Sequence, residues 1–257
     1  MKRAAFIAAT MSLALKPTLA AASEHSDDLA LGQKVYNDLK TKDQIVFNSP
    51  FNAVLQQTGA SIARAAGPQW YTERFYVVRG NQMNAFSAPG GYVFVNEGLL
   101  RNADNVDELA CVLGHETAHL VLGHVSARNK VKERRDVLFK LGRMFSKNGS
   151  AGAQNTFNIA GQAGNYTFLG FDRQQEYEAD RVGTTLAAKA GYNPWGAIWY
   201  FRETERLGSD AGFEQYVQQH PSTSDRISAL ERYFKKNPRR FAHWPSRMTN
   251  RGGLPTT

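Results

Sequence analysis

The chain has 257 residues, 42% of them hydrophobic and 21% charged, with a formal net charge of +8. That balance fits one globular domain more readily than two, and a core of that size excludes any need for a disulfide scaffold. The positive excess favours anionic surfaces such as membranes, so peripheral membrane contact is a partner to consider. Nucleic acid is not, because no recognition motif is present.

The first residues read as a secretory leader. Lys2 and Arg3 give a basic start, Ala4 to Leu15 is almost wholly apolar, and Ala20, Ala21 and Ala22 are small. Cleavage after Ala22 is expected, which places the mature chain in the periplasm or otherwise outside the cell. The apolar run is too short for the ~20 residues that cross a bilayer, and Lys16 and Pro17 end it, so an uncleaved anchor is the weaker reading. No later segment is apolar enough to cross a membrane. The single Cys111 falls in an apolar helical pattern, as a small buried thiol would.

In chain order, 29–39 and 53–66 read as helices. Phe75 to Val78, Met83 to Ala88 and Tyr92 to Val95 are short aromatic and β-branched runs, separated by the turn signals Arg79-Gly80-Asn81 and Pro89-Gly90-Gly91. They suggest a small antiparallel meander. The strongest helix follows: Asp104 or Asn105 can cap it, Asp107 and Glu108 load its first turn with negative charge, and Gly123 is a natural stop. Lys130 to Phe145 reads as a basic amphipathic helix, and 146–164, rich in Gly, Ser, Ala and Asn, as a mobile stretch. Further helices are expected over 174–190, 195–207 and 224–235. The domain boundaries that result are a leader over 1–22, one domain over 23–236, and a basic, loosely ordered tail over 237–257.

His115-Glu116-Thr117-Ala118-His119 is an HExxH sequence inside the strongest helix. Residues four apart share a helix face, so both imidazoles can reach one ion. Glu116 lies about 100° round the helix, able to address a water without being a ligand. Two histidines and a glutamate among Val112, Leu113, Ala118 and Val121 would be costly unless something satisfied them. A catalytic zinc needs a third protein ligand. His124, nine residues after His115, would face the opposite side of a continuous helix and reads as structural. Glu176 is the better candidate, with Asp180 one turn on, able to accept a hydrogen bond from the outer ring N–H of a ligating histidine. Glu178 would point elsewhere, into solvent.

Four separated pieces extend this pattern: Asn84 to Gly91 followed by Val93 to Asn96; Asp107-Glu108-Leu109-Ala110 leading into HExxH; Glu176 to Gly183; and His220-Pro221 with Arg226-Ile227. Together, over roughly 30–235, they resemble family forty-eight of the metallopeptidases, the gluzincins that include the HtpX, CAAX prenyl endopeptidase and BepA types. The resemblance implies an α+β, mostly helical zincin-type domain with a small antiparallel sheet. It implies one zinc ion per chain on His115, His119 and Glu176, with Glu116 catalytic. It also implies a substrate edge strand at Asn84, Ala85 and Phe86, and His220 and Arg226 at the active site. The absence of membrane spans departs from the HtpX and CAAX types, so prenylated substrates are not implied. Only about twenty residues follow the expected last helix, too few for the C-terminal helical repeats of the BepA type, and a minimal, single-domain periplasmic member is the closest design.

The expected function is a zinc-dependent metalloendopeptidase that cuts unfolded or misfolded envelope proteins. Glu116 would act as general base, with Arg226 and His220 as oxyanion stabilisers. Two other readings stay open. One is a latent, chaperone-like zinc protein in which His220 or segment 146–164 blocks the metal. The other is a structural zinc protein, against which the presence of Glu116 argues.

Overall fold

The computed structural model describes residues 23–128, 130, 171–207, 220, 223–250 and 252–255. The leader, nearly all of the basic segment 130–145 and the stretch 146–164 lie outside the described residues.

Helix α1 spans 23–41 and α2 Asn52–Ala66. Three strands follow, β1 (Arg74–Val78), β2 (Ala85–Ala88) and β3 (Tyr92–Asn96). A short α3 (Glu97–Asn102) leads into α4 (Val106–Val121), residues 124–128 are helical again, and later helices among the described residues include α5 (Arg173–Lys189), α6 (Gly196–Leu207), α7 (Thr223–Lys236) and α8 (Pro238–Phe241). The domain is mostly helical with a small sheet. That sheet is mixed, not the antiparallel meander expected: its order is β1-β3-β2, with β3 parallel to β1 and antiparallel to β2. The reason lies in composition. Every residue of β3 is buried, on both faces, so this strand takes the centre and forces β2 to the edge. Gly90 (φ +74) and Gly91 (φ +87) supply the left-handed backbone that closes the β2–β3 hairpin.

Alternation along β3 builds two cores. Tyr92 and Phe94 face α1, where they meet Val35 and Leu39. Val93 and Val95 face the larger core, which also takes Leu55 and Ile62 of α2, Leu109 and Leu113 of α4, and Ile198 of α6. Helix α4 is thus covered on all sides and is buried from Glu108 to Leu120. Its start is fixed by Asn105, whose side chain accepts a hydrogen bond from Glu108 N at 3.0 Å. Two apolar side chains anchor the described part of the tail. Phe241 and Leu254 are buried, and Trp199 Nε1 and Asn193 Nδ2 donate to the carbonyls of Ser246 and Pro245, both at 2.9 Å. Its two buried apolar side chains outweigh the flexibility that its glycines and prolines suggest.

Helices α4 and α5 cross at close range. A Cβ on Gly114 would lie 2.6 Å from Gly183 O, and a Cβ on Gly183 would lie 2.6 Å from His115 N. Neither helix can bear a side chain there. Gly183→Ala should therefore cost about 1–3 kcal/mol through overpacking, despite alanine's better helix propensity. Gly252→Ala, with open space around it, should stay within about 0.5 kcal/mol of the parent. Urea midpoints measure both, and a neutral Gly183→Ala would show that the crossing tolerates a methyl group.

Candidate metal centre

Helix α4 carries His115, Glu116 and His119 into the core, and the crossing at Gly114 and Gly183 brings α5 against them. The orientation of α5 is set at its start by a capping box. Gln175 N donates to Asp172 Oδ1 at 2.9 Å, and Asp172 N donates to Gln175 Oε1 at 3.1 Å. Glu176 and Asp180 then face α4, both buried. His115 Nε2 lies 3.0 Å from His119 Nε2 and 3.5 Å from Glu176 Oε2, and His119 Nε2 lies 3.3 Å from Glu176 Oε1. His220 joins them, with Nδ1 3.0 Å from Glu176 Oε1 and 3.3 Å from His115 Nε2. One donor atom from each of these four residues lies within 4.8 Å of all the others.

These distances fit a metal. Ligands about 2.1 Å from a tetrahedral ion lie roughly 3.4 Å apart, and two imidazoles with one carboxylate are a zinc-type donor set. The outer ring nitrogens agree. Asp180 Oδ1 accepts a hydrogen bond from His115 Nδ1 at 3.0 Å, a tautomer that turns the Nε2 lone pair inward. Glu116 Oε2 is buried without a hydrogen-bond partner, as expected of a group whose partner is exogenous.

Charge balance rests on Arg226. Its Nε and Nη2 donate to Asp180 at 2.8 and 2.6 Å, its Nη1 lies 2.8 Å from Glu176 Oε2, and it stacks on Phe201 at 4.4 Å. Burial works against the charge of both acids. The Arg226 guanidinium nevertheless holds Asp180 below the usual carboxylate range, and His220, Arg226 and His115 hold Glu176 well below it. With its guanidinium set against two carboxylates, Arg226 is arranged to brace the acids. His220 remains beside the base, its Nε2 3.7 Å from Glu116 Oε1. Ala85 and Phe86 lie on β2 at the sheet edge, and Asn84 just precedes it, its carbonyl accepting from Asn96 N at 3.0 Å.

Two residues set aside in the sequence reading, His124 and Glu178, lie next to this cluster without being among its four donors. His124 Nδ1 is 3.0 Å from His119 Nδ1, and its Nε2 is 3.4 Å from Glu178 Oε2. The helix stops before His124, because Gly123 adopts φ +72 and re-aims the chain. The stop was visible in the sequence; extrapolating a continuous helix through it put His124 on the wrong side. Phe171 was not singled out, and it stacks on His119 at 3.6 Å while Arg128 lies over its ring at 4.1 Å. Burial lowers the Arg128 pKa to about 10, although Glu116 and Glu176 oppose the shift.

A match to the model of peptidase family M48 spans residues 51–234, which takes in every residue of the cluster. The chain belongs to peptidase family M48. It is similar to a beta-barrel assembly-enhancing protease of Yersinia pestis, 26% identical over 65% of this chain and 35% of the relative. It is also similar to the mitochondrial metalloendopeptidase OMA1 of Schizosaccharomyces pombe, 30% identical over 62% of this chain and 45% of the relative. A third is the mitochondrial OMA1 metalloendopeptidase of Bos taurus, 31% identical over 61% and 31%. The chain thus matches less than half the length of each of these relatives. Among the described residues of this M48 chain, no helix is long and apolar enough to cross a membrane.

One acid touches this helix from behind. Thr117 Oγ1 donates to Glu73 Oε2 at 2.6 Å, and burial raises the Glu73 pKa although that bond opposes it. The folded state therefore holds the proton more tightly than the unfolded chain. This contribution to stability is full below the unfolded carboxylate range and is lost as pH rises through the raised folded value. Glu73→Gln should gain in melting temperature relative to the parent between pH 4 and pH 8. A difference that stays flat with pH would contradict the raised value.

Proposed function

We propose that the chain is a zinc-dependent metalloendopeptidase cutting unfolded or misfolded proteins of the cell envelope. One observation carries this reading: the buried Glu116 Oε2, which has no hydrogen-bond partner, stands beside three converging donors from His115, His119 and Glu176. A structural site has no use for a base in that place. The leader in the sequence and the likeness to a beta-barrel assembly-enhancing protease support the envelope as the compartment.

His115, His119 and Glu176 would hold a zinc ion, which when bound would supply Lewis acidity and lower the pKa of a water toward about 7. The chain does the rest. Asp180 fixes the His115 tautomer, and Arg226 keeps Asp180 and Glu176 ionised in a buried setting. Glu116 takes the proton of the attacking water and delivers it to the leaving amine. Substrate backbone adds alongside β2, at Asn84, Ala85 and Phe86. His220, next to the base, donates to the developing oxyanion.

Glu116→Gln should retain one zinc per chain but lose about 10²–10⁴-fold in cleavage of unfolded casein; full activity in that variant would refute the assigned base. Glu176→Ala should lose zinc on native mass spectrometry, and unchanged metal content would remove it from the site.

A second reading is favoured by the position of His220. Its ring nitrogen shares the cluster with the other three donors, so it can close the site as a fourth ligand and hold the enzyme latent. His220→Ala then cleaves casein faster than the parent, whereas slower cleavage supports the oxyanion role.

A further inference from the structure

The positive charge of this chain is concentrated at one end. Residues 232–257 hold seven of its 31 lysines and arginines and none of its 23 acids, so nearly all of the +8 net charge lies there. The stretch is tied to the domain by the buried side chains of Phe234, Phe241 and Leu254, and Gly253 N donates to Asp104 O at 2.8 Å. Its charges stay outside: Arg232 and Lys236 of α7, and Arg239 and Arg240 of α8, are all exposed. Helix α5 extends the same face. Thr185 Oγ1 accepts from Arg240 Nη1 at 3.4 Å and lies 3.1 Å from the Tyr233 hydroxyl of α7. Arg181 and Lys189 stand one turn either side of Thr185 on α5, and both are exposed. Six cations from three helices are thus gathered around the contact between Thr185 and Tyr233.

The acids of these elements are taken up elsewhere. Glu231 accepts from Arg202 of α6 at 2.9 Å, Asp225 lies 3.8 Å from Arg173, and Glu178 lies 3.4 Å from His124. Among the described residues, none of the six cations is held in an ion pair. Like charges so arranged repel one another, and an opposing surface of anions relieves that repulsion. Spread over three helices and exposed, the six do not form a cup for a single phosphate. They match an extended plane of anionic groups instead. We propose that this face docks the protein on a lipid bilayer whose surface carries anionic phosphate headgroups. The leader read in the sequence points to the envelope, where the anionic surface at hand is a membrane rather than nucleic acid. Docking this way does not cover the metal donors of α5. At about 100° per residue, Thr185 lies about 180° round that helix from Glu176, so the cations occupy the back of the helix whose front holds the carboxylates.

Co-flotation of the purified chain with vesicles tests this. Phosphatidylcholine vesicles containing phosphatidylglycerol should carry the protein upward, and vesicles of phosphatidylcholine alone should not. Raising ionic strength from about 0.1 M to about 1 M, which shortens the screening length from roughly 10 Å to roughly 3 Å, should release it. A Lys or Arg close to an anionic membrane is worth roughly fivefold in binding, so the triple variant Arg232→Gln, Lys236→Gln, Arg239→Gln should bind about 100-fold more weakly. The pair Arg181→Gln, Lys189→Gln should weaken binding about 25-fold. A control with the same loss of charge, Lys40→Gln, Lys42→Gln, Arg64→Gln, removes exposed cations of α1, the loop after it and α2 and should bind like the parent. Casein cleavage should be the same in all of them. Equal binding to both kinds of vesicle, no binding to either, or a control that loses as much as the triple variant would overturn the proposal. Capture of soluble polyglutamate without any uptake on vesicles would assign the face to an acidic protein and overturn it too. A chain that floats with anionic vesicles as expected but cuts no casein would uphold the face and sink the peptidase reading instead.

Discussion

Two glycines facing each other fix everything at the centre of this molecule. Gly114 and Gly183 let the backbones of α4 and α5 approach so closely that a methyl group on either would collide with the other helix. The contact sits one residue before His115. It sets how far the Glu176 carboxylate stands from the two imidazoles, and hence whether three donors can share one ion. Interiors packed at crystal density transmit such a distance without slack.

That proximity would be unfavourable without compensation. Two acids, three histidines and a glutamate are gathered where water is excluded, and isolated charges there would cost several kcal/mol each. The Arg226 guanidinium offsets much of this by bridging Asp180 and Glu176. Each histidine of the HExxH pair also has an outer partner, Asp180 for His115 and His124 for His119. The arrangement is rigid because every polar group depends on another, and it leaves the buried Glu116 Oε2 without a hydrogen bond.

Periodicity made most of this legible. The helical spacing around His115 and His119, and the turn-spaced Glu176 and Asp180, pointed to one cluster because local rules govern side chains on the same helix. The three strands were equally visible, but their pairing was not. A run such as Tyr92 to Asn96 shows that a strand is buried, and its uninterrupted apolar character was the clue to a central place that the meander expectation overlooked. His124 was placed on the far side of α4 because a continuous helix was extended past Gly123. The acids around Arg226 were not legible, because only tertiary packing brings them to it. Composition likewise gave no sign that Phe241 and Leu254 of the tail are buried.

The most direct test is an anomalous difference map collected at the zinc edge from crystals of the metal-loaded protein. A single peak is predicted between His115 Nε2, His119 Nε2 and the Glu176 carboxylate, at about 2.0–2.2 Å from each. A peak bound elsewhere, or one at the histidines with the Glu176 side chain turned away, would contradict the account.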